Sequence, residues 1–261
     1  MIKLKTAFCA VAIVLVLTSI GTIKGRSMED GKASGKEERK FQEDVIKTKT
    51  GDLKITFIGH GTLMFAYGGK VVHVDPWSRL ADYSKMPKAD LILVTHEHGD
   101  HLDTKAIGIL RREQTKVVLA KACAEKVQGG TIMKNGDVQT VQGLNIEAVP
   151  AYNIAHKRSS GEPFHPKGNG NGYVVTFGKT RVYVAGDTEN IPEMKKLKKI
   201  DVAFLPMNLP YTMTPEMVAD AAKAFEPKIL YPYHYGQTDP NALVNLLKDS
   251  KKIEVRIRKM K

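Results

Sequence analysis

Short apolar runs alternate with polar punctuation over most of the chain. Leu53–Ile58, Thr62–Tyr67 and Lys70–Val74 are β-branched or apolar stretches separated by Gly59-His60-Gly61 and by Gly68-Gly69. The spacing predicts a meander whose second turn is a two-residue Gly-Gly hairpin. Leu91–Thr95 (LILVT) is a continuous apolar run, the pattern of a strand buried on both faces. Asp103 stands where an N-cap is needed for a helix to Arg112, with Ala106, Ile107 and Leu110 on one stripe. Further strands are expected at Lys116–Leu119, Asp137–Val141, Leu144–Val149, Gly172–Phe177, Arg181–Ala185, Asp201–Leu205 and Lys228–Tyr231, and a last one at Ile253–Ile257. Thr214–Phe225 and Pro240–Lys248 have helical spacing. Two sets of strands with helices between them describe a layered α/β domain, with sheets sandwiched by helices.

The first fifty residues follow a different pattern. Met1–Lys5 carries two lysines, and Thr6–Ile20 (TAFCAVAIVLVLTSI) is apolar and uncharged, ending in Thr18-Ser19-Ile20-Gly21. The run is shorter than the roughly 20 residues of a membrane-spanning helix. A basic start, a short apolar run and a small-residue exit predict a secretory signal peptide over residues 1–21 and an exported protein, periplasmic or extracellular. An uncleaved anchor is the alternative; after cleavage no stable membrane span is expected. Residues 22–50 hold few apolar residues among interleaved charges, which predicts a flexible linker and places the folded domain at 51–261.

Composition narrows the chemistry. With 261 residues, 42% of them hydrophobic and 26% charged, the chain suits one substantial globular domain and excludes a disordered or polytopic membrane protein. Its two cysteines, Cys9 and Cys123, exclude a disulfide scaffold and a thiolate zinc site, since Cys9 lies in the signal. The net charge of +12 is concentrated in Lys195-Lys196-Leu197-Lys198-Lys199 and the tail Lys251–Lys261, read as a solvated helix face and terminus. No interleaved aromatic platform accompanies it, so no nucleic-acid partner is expected.

The eight histidines are clustered rather than scattered. Three fall in Thr95-His96-Glu97-His98-Gly99-Asp100-His101, directly after the LILVT strand, where a rigid scaffold presents a functional loop. His96 and His98 alternate along an extended chain, point the same way and can share one cation. Asp100 and His101 follow where the chain turns and can serve a second cation beside it. Imidazole and carboxylate without thiolate suit zinc, with manganese and iron as competitors. His60 reads equally as a turn histidine or as part of the site rim, and His73 as a packed or edge histidine. Asp75 can steady a ligand imidazole or cap the turn before Pro76. Lys167, Asn208, Tyr211 and Tyr235 are candidate substrate contacts, and Trp77 reads as loop packing.

The motif His-x-His-x-Asp-His resembles that of the metallo-β-lactamase-fold hydrolase superfamily. Gly59-His60-Gly61, Asp75-Pro76, Gly186-Asp187-Thr188 and Tyr231-Pro232-Tyr233-His234 follow the family's order, and the resemblance runs from Leu53 to about Ile257. It implies a four-layer αβ/βα sandwich with two divalent metal ions between the sheets. It places His96 and His98 on one metal and Asp100, His101 and His234 on the other, with Asp187 bridging. One more histidine is expected between the first motif and Asp187; His165, in Phe164-His165-Pro166-Lys167-Gly168, is preferred to His156.

The implied function is metal-assisted hydrolysis by a hydroxide bridging the two ions, with Asp100 also orienting the nucleophile or moving its proton. The layout is similar to the branch holding ascorbate-phosphate lactonase-like and N-acyl-phosphatidylethanolamine phospholipase D-like enzymes. That implies a phosphodiester, lactone or related ester, a small-molecule or lipid-like substrate. The two-zinc β-lactam-cleaving branch commonly uses a cysteine that is absent here, which disfavours β-lactams. Two other readings stay open: a metal-binding protein without turnover, and a di-iron oxidoreductase for which Glu97 would be a candidate ligand.

Overall fold

The computed structural model describes residues 40–261; the predicted signal peptide and the predicted linker up to residue 39 lie outside the described residues. Fourteen strands form two seven-stranded sheets, each in chain order. The first holds β1 (Gln42–Thr48), β2 (Gly51–Gly59), β3 (Thr62–Tyr67), β4 (Lys70–Val74), β5 (Leu91–Val94), β6 (Lys116–Leu119) and β7 (Thr131–Ile132). The second holds β8 (Val138–Val141), β9 (Leu144–Ala151), β10 (Gly170–Phe177), β11 (Thr180–Val184), β12 (Val202–Pro206), β13 (Ile229–Tyr233) and β14 (Glu254–Val255). In both sheets the first three pairings are antiparallel and the last three parallel. Tight turns make the antiparallel pairs except β9–β10, which the long loop 152–169 connects. Gly68 and Gly69, both at positive φ (55° and 76°), close the predicted hairpin between β3 and β4. Parallel neighbours need crossovers, which carry α1 (Thr104–Leu110), α2 (Pro215–Phe225) and α3 (Asn241–Leu247).

The period of two along each strand sorts side chains between layers. On β5, Leu91 and Leu93 join the central core with Ile146 and Val175 of the opposite sheet, while Ile92 and Val94 pack with Ala106, Ile107 and Leu110 of α1. On β12, Val202 and Phe204 enter the central core, while Ala203 and Leu205 pack with Val218, Ala222 and Phe225 of α2 and Leu243 of α3. Full burial of a Leu or Phe side chain contributes about 1.5–3 kcal/mol, so both faces of these strands must be apolar. The result is a four-layer αβ/βα sandwich.

Three segments differ from the sequence reading. The linker assigned to 22–50 gives way to a strand from Gln42, antiparallel to β2. Its charges hid an alternation: Asp44, Ile46 and Thr48 are half-buried on one face, while Glu43, Val45 and Lys47 are exposed. Ile46 reaches the central core, and Asp44 accepts from the Tyr231 hydroxyl (2.5 Å) and from Arg258 Nε and Nη2 (2.9 and 2.7 Å). The basic tail is therefore partly docked rather than wholly solvated. Lys195 and Lys196 lie on a 3-10 turn, Pro192–Lys196, with buried Met194 on its inner side. Among the described residues no helix is long and apolar enough to cross a membrane.

Candidate metal centre

The C-terminal ends of β4, β5, β11, β12 and β13 share one edge of the sandwich with the β2–β3 turn and the end of β9. Backbone bonds join the sheets there: His234 N–H donates to His60 O (3.0 Å) and Asn171 N–H to Thr95 O (2.9 Å). Below them the Tyr173 hydroxyl donates to Val94 O (2.9 Å). Ligands in open α/β folds gather at such strand ends.

All seven residues predicted as ligands meet at this edge. His96, His98 and His165 form one group of potential donors, and His60, Asp100, His101 and His234 a second, the atoms of each lying within 4.8 Å of one another. Asp187 faces both. Its Oδ2 lies 3.2 Å from His165 Nε2, 3.8 Å from His96 Nε2 and 3.7 Å from His234 Nε2, and its Oδ1 lies 3.5 Å from His101 Nε2. Asp100 Oδ2 is 3.7 Å from His101 Nε2, 3.6 Å from His234 Nε2 and 2.9 Å from His60 Nε2. His60 thus belongs to the cluster, its ring centroid 3.6 Å from that of His234 with the planes tilted by 38°. His156 lies outside it, with Nδ1 2.7 Å from Glu189 Oε1.

Glycines make the close approach possible. A Cβ on Gly61 would lie 2.7 Å from His101 Cε1 and 3.5 Å from His234 Cδ2, so only glycine lets the β2–β3 turn pass beneath these rings. Gly186 has φ +66°, and its N–H donates to the Tyr233 hydroxyl at 2.8 Å. That left-handed step, which favours glycine, turns Asp187 off the end of β11.

Partners behind the rings set which nitrogens carry hydrogen. His101 Nδ1 lies 2.8 Å from Asp75 Oδ2, and buried Asp75 also accepts from Thr95 N–H (2.8 Å) and the Thr95 hydroxyl (2.6 Å). A carboxylate only accepts, so Nδ1 carries the hydrogen. His165 Nδ1 lies 2.6 Å from Asn153 Oδ1, which also accepts from His165 N–H at 2.9 Å. The other end of that amide donates to Tyr211 O (2.9 Å) and Glu189 Oε1 (3.1 Å). One end meets a backbone donor and the other a backbone acceptor, so the amide has one possible orientation and His165 Nδ1 must donate. In their neutral forms both rings then turn an Nε2 lone pair toward Asp187.

Lone pairs facing carboxylate oxygens in a buried site require something positive between them. His101 Nε2, His234 Nε2 and Asp187 Oδ1 are buried with no hydrogen-bond partner. Burial alone would lower the His101 pKa, but the charges of Asp187 and Asp75, and the Asp75 hydrogen bond, push it up to about 9. Burial lowers that of His96 well below the usual imidazole value, reinforced by the neighbouring charge of His101. Burial would raise Asp187, yet the charges of His234 and His101 and the His165 ring against it hold it well below the carboxylate range. Protons could satisfy part of this set, whereas divalent cations satisfy all of it. The donors are nitrogen and oxygen only, which suits zinc, manganese or iron.

Among the other candidates, Asn208 Nδ2 lies 3.2 Å from His234 Nδ1, and Trp77 packs its ring 5.3 Å from that of His60. Lys167 is engaged by Glu193 (3.0 Å) and the Tyr152 hydroxyl (3.2 Å), which removes it from the free cations. Tyr235 donates to Arg258 O and packs against the core, whereas Tyr211 is exposed. His73 is wholly buried, with Nε2 3.1 Å from Pro87 O. Sequence reasoning missed Asn153 and Glu189; an Asn after a strand and a Glu after Gly-Asp-Thr carry no spacing signal.

A sandwich of two matching sheets with an imidazole–carboxylate cluster at one edge defines a class of metal-dependent hydrolases. The chain belongs to the β-lactamase superfamily domain family, whose model matches residues 54–234. It is 34% identical over 203 residues to a UPF0173 metal-dependent hydrolase of Thermococcus kodakarensis, spanning 73% of this chain and 88% of that one. A relative of the same description from Pyrococcus furiosus is 35% identical over 204 residues, with the same coverage. Among solved structures, a chain provisionally described as a metal-dependent hydrolase of Parabacteroides distasonis is 53% identical, with TM-score 0.81 over 85% of this chain and 100% of that one. The metallo hydrolase Igni18 of Ignicoccus hospitalis is 28% identical, with TM-score 0.66 over 78% and 94%. The protein is a metal-dependent hydrolase of the metallo-β-lactamase fold.

Proposed function

We propose that the chain is an exported dinuclear hydrolase acting on a phosphodiester, lactone or related ester, with small-molecule or lipid-like substrates and no nucleic-acid partner. The observation that carries the dinuclear reading is Asp187, whose carboxylate faces two separate groups of imidazoles at 3.2–3.8 Å. His96, His98 and His165 would hold one ion, Asp100, His101 and His234 the other, with Asp187 between them. His60 supports the second through Asp100. When bound, two divalent ions, most readily zinc, lower the pKa of a shared water toward neutrality and accept charge developing on oxygen.

The protein's own groups do the orienting. Asp100 directs Oδ2 at His60, His101 and His234, which leaves Oδ1 to orient a nucleophilic water by accepting its hydrogen bond. Burial would raise the Asp100 pKa, but the His234 ring 3.6 Å away, the hydrogen bond with His60 and the charge of His101 hold it well below the carboxylate range. It therefore stays ionised as an acceptor. Asp75 and Asn153 hold their imidazoles in fixed tautomers. Export rests on the basic start and apolar run of residues 1–21, and fractionation of the host cell checks it.

Elemental mass spectrometry of the purified protein, followed by hydrolysis assays with and without chelator, tests the function. The substrates are an activated phosphodiester, a lactone, a thioester and a chromogenic β-lactam. About two zinc or manganese ions per chain and chelator-sensitive cleavage of a phosphodiester or lactone are expected. A visible absorption band with two irons would favour the oxidoreductase reading, and cleavage of the β-lactam alone would overturn the substrate class.

A further inference from the structure

Glu189 is a buried carboxylate that the hydrolytic reading does not use. It lies two residues beyond Asp187 and is 1% exposed. Its Oε2 accepts from Ile154 N–H and Ala155 N–H, both at 2.7 Å, and its Oε1 from His156 N–H at 2.6 Å and Asn153 Nδ2 at 3.1 Å. Four donors from one loop converge on a single carboxylate. Burial would raise its pKa, yet the N–H groups of Ala155, His156 and Ile154 and the Asn153 amide hold it below the usual glutamate value.

We propose that Glu189 is a positioning residue for the His96–His98–His165 group, acting through Asn153. The inference rests on the dinuclear reading. Asn153 has one acceptor oxygen, and both His165 N–H and His165 Nδ1 donate to it. The position of that amide is anchored at its far end, where Nδ2 donates to Glu189 as well as to Tyr211 O. Glu189 follows Asp187 on the same short segment, and Glu189 N–H donates to Tyr152 O at 2.9 Å, next to Asn153. The relay therefore ties His165 to the strand end that presents Asp187, keeping His165 Nε2 at 3.2 Å from Asp187 Oδ2. Outer partners of this kind characteristically tune metal affinity by 10–100-fold. A loop cap with no role at the metal would stabilise residues 153–156 and nothing else.

Zinc titration of the full chain against a chromophoric chelator, with thermal unfolding of the metal-free protein, separates the two roles. Wild type should bind two zinc ions; if it binds none, the dinuclear reading fails on wild type alone and this inference falls with it. Glu189→Gln should weaken one zinc roughly 10–100-fold and leave the other unchanged. Asn153→Ala should weaken the same zinc, and the double variant should bind no more weakly than Asn153→Ala, because both act along one path. If Glu189→Gln does not fold, Glu189→Asp, which keeps the charge but shortens the reach, carries the same expectation. Two zinc ions held with wild-type affinity in the Glu189 variant would overturn the proposal, whether or not its metal-free form melts earlier. Additive losses in the double variant would overturn the route through Asn153.

Discussion

Each imidazole at the cluster has a front and a back, and the back decides what the front can do. Asp75 behind His101 and Asn153 behind His165 fix the hydrogen on Nδ1, so Nε2 is left for a cation. The contrast between two histidines nine residues apart follows. If the cluster holds two metals as proposed, His165→Ala should release one of them, whereas His156→Ala, whose Nδ1 faces Glu189, should keep both; elemental analysis of the two variants decides it. Space is equally specific. Gly61→Ala puts a methyl 2.7 Å from His101 Cε1, and displacing a ligand by about 1 Å commonly costs on the order of 100-fold in rate. A matching drop in kcat, with weakened metal binding, is expected; full activity would show that the ring yields without penalty.

At the scale of the element, strands did two jobs with one alternation: they filled the layers and aimed their last residues at a common edge. β5 is apolar on both faces and could be read from sequence to within a residue, as could β3, β4 and β6. β1 was hidden because its inward face is Asp44, Ile46 and Thr48, and Asp44 is acceptable only beside Arg258 and Tyr231, about 190–210 residues away. No local window contains that pairing. Asp44→Ala removes hydrogen bonds involving charged groups and leaves Arg258 unpaired, so a loss of about 2 kcal/mol in urea unfolding is expected. Burial would raise the Asp44 pKa, but the Tyr231 hydroxyl, Arg258 and the charge of Arg256, 3.5 Å away, hold it below the usual carboxylate value. A depressed carboxylate contributes stability that is present above its unfolded pKa and lost as pH falls through the folded one. The wild-type excess over Asp44→Ala should therefore shrink below about pH 4.

Across the whole molecule, one sheet supplies His60, His96, His98, Asp100 and His101, and the other supplies His165, Asp187 and His234. If the cluster holds metal as proposed, the ions bind across both sheets and bind the folded chain alone. A ligand at 1,000 times its Kd stabilises by about 4 kcal/mol, so chelation should lower the melting temperature by several degrees, and re-addition of zinc should restore it. A second global effect comes from His73, wholly buried against Tyr83 and outside the cluster. Burial lowers its pKa to about 4, with a smaller opposing contribution from Pro87 O. The unfolded chain then binds the extra proton, so this stability is full above about pH 6.5 and declines toward pH 4, by about 3 kcal/mol at most. His73→Leu should flatten the fall in unfolding free energy between pH 7 and 5; an unchanged slope would show that the ring is protonated in the fold.

The sequence by itself determined the alternation of strands and helices, the layered architecture and the cluster after β5, because these are short-range patterns: period two, a cap, three histidines in six residues. The resemblance carried Asp187 and His234, which no spacing joins to the others, and a preference for His165. Tertiary structure decided the rest. It brought His60 into the cluster through a turn against Asp100, set His156 aside against Glu189, and placed Asn153 and Asp75 behind their imidazoles. Those roles depend on directions and distances between loops at seven strand ends, and such geometry exists only once two sheets have packed and shared an edge.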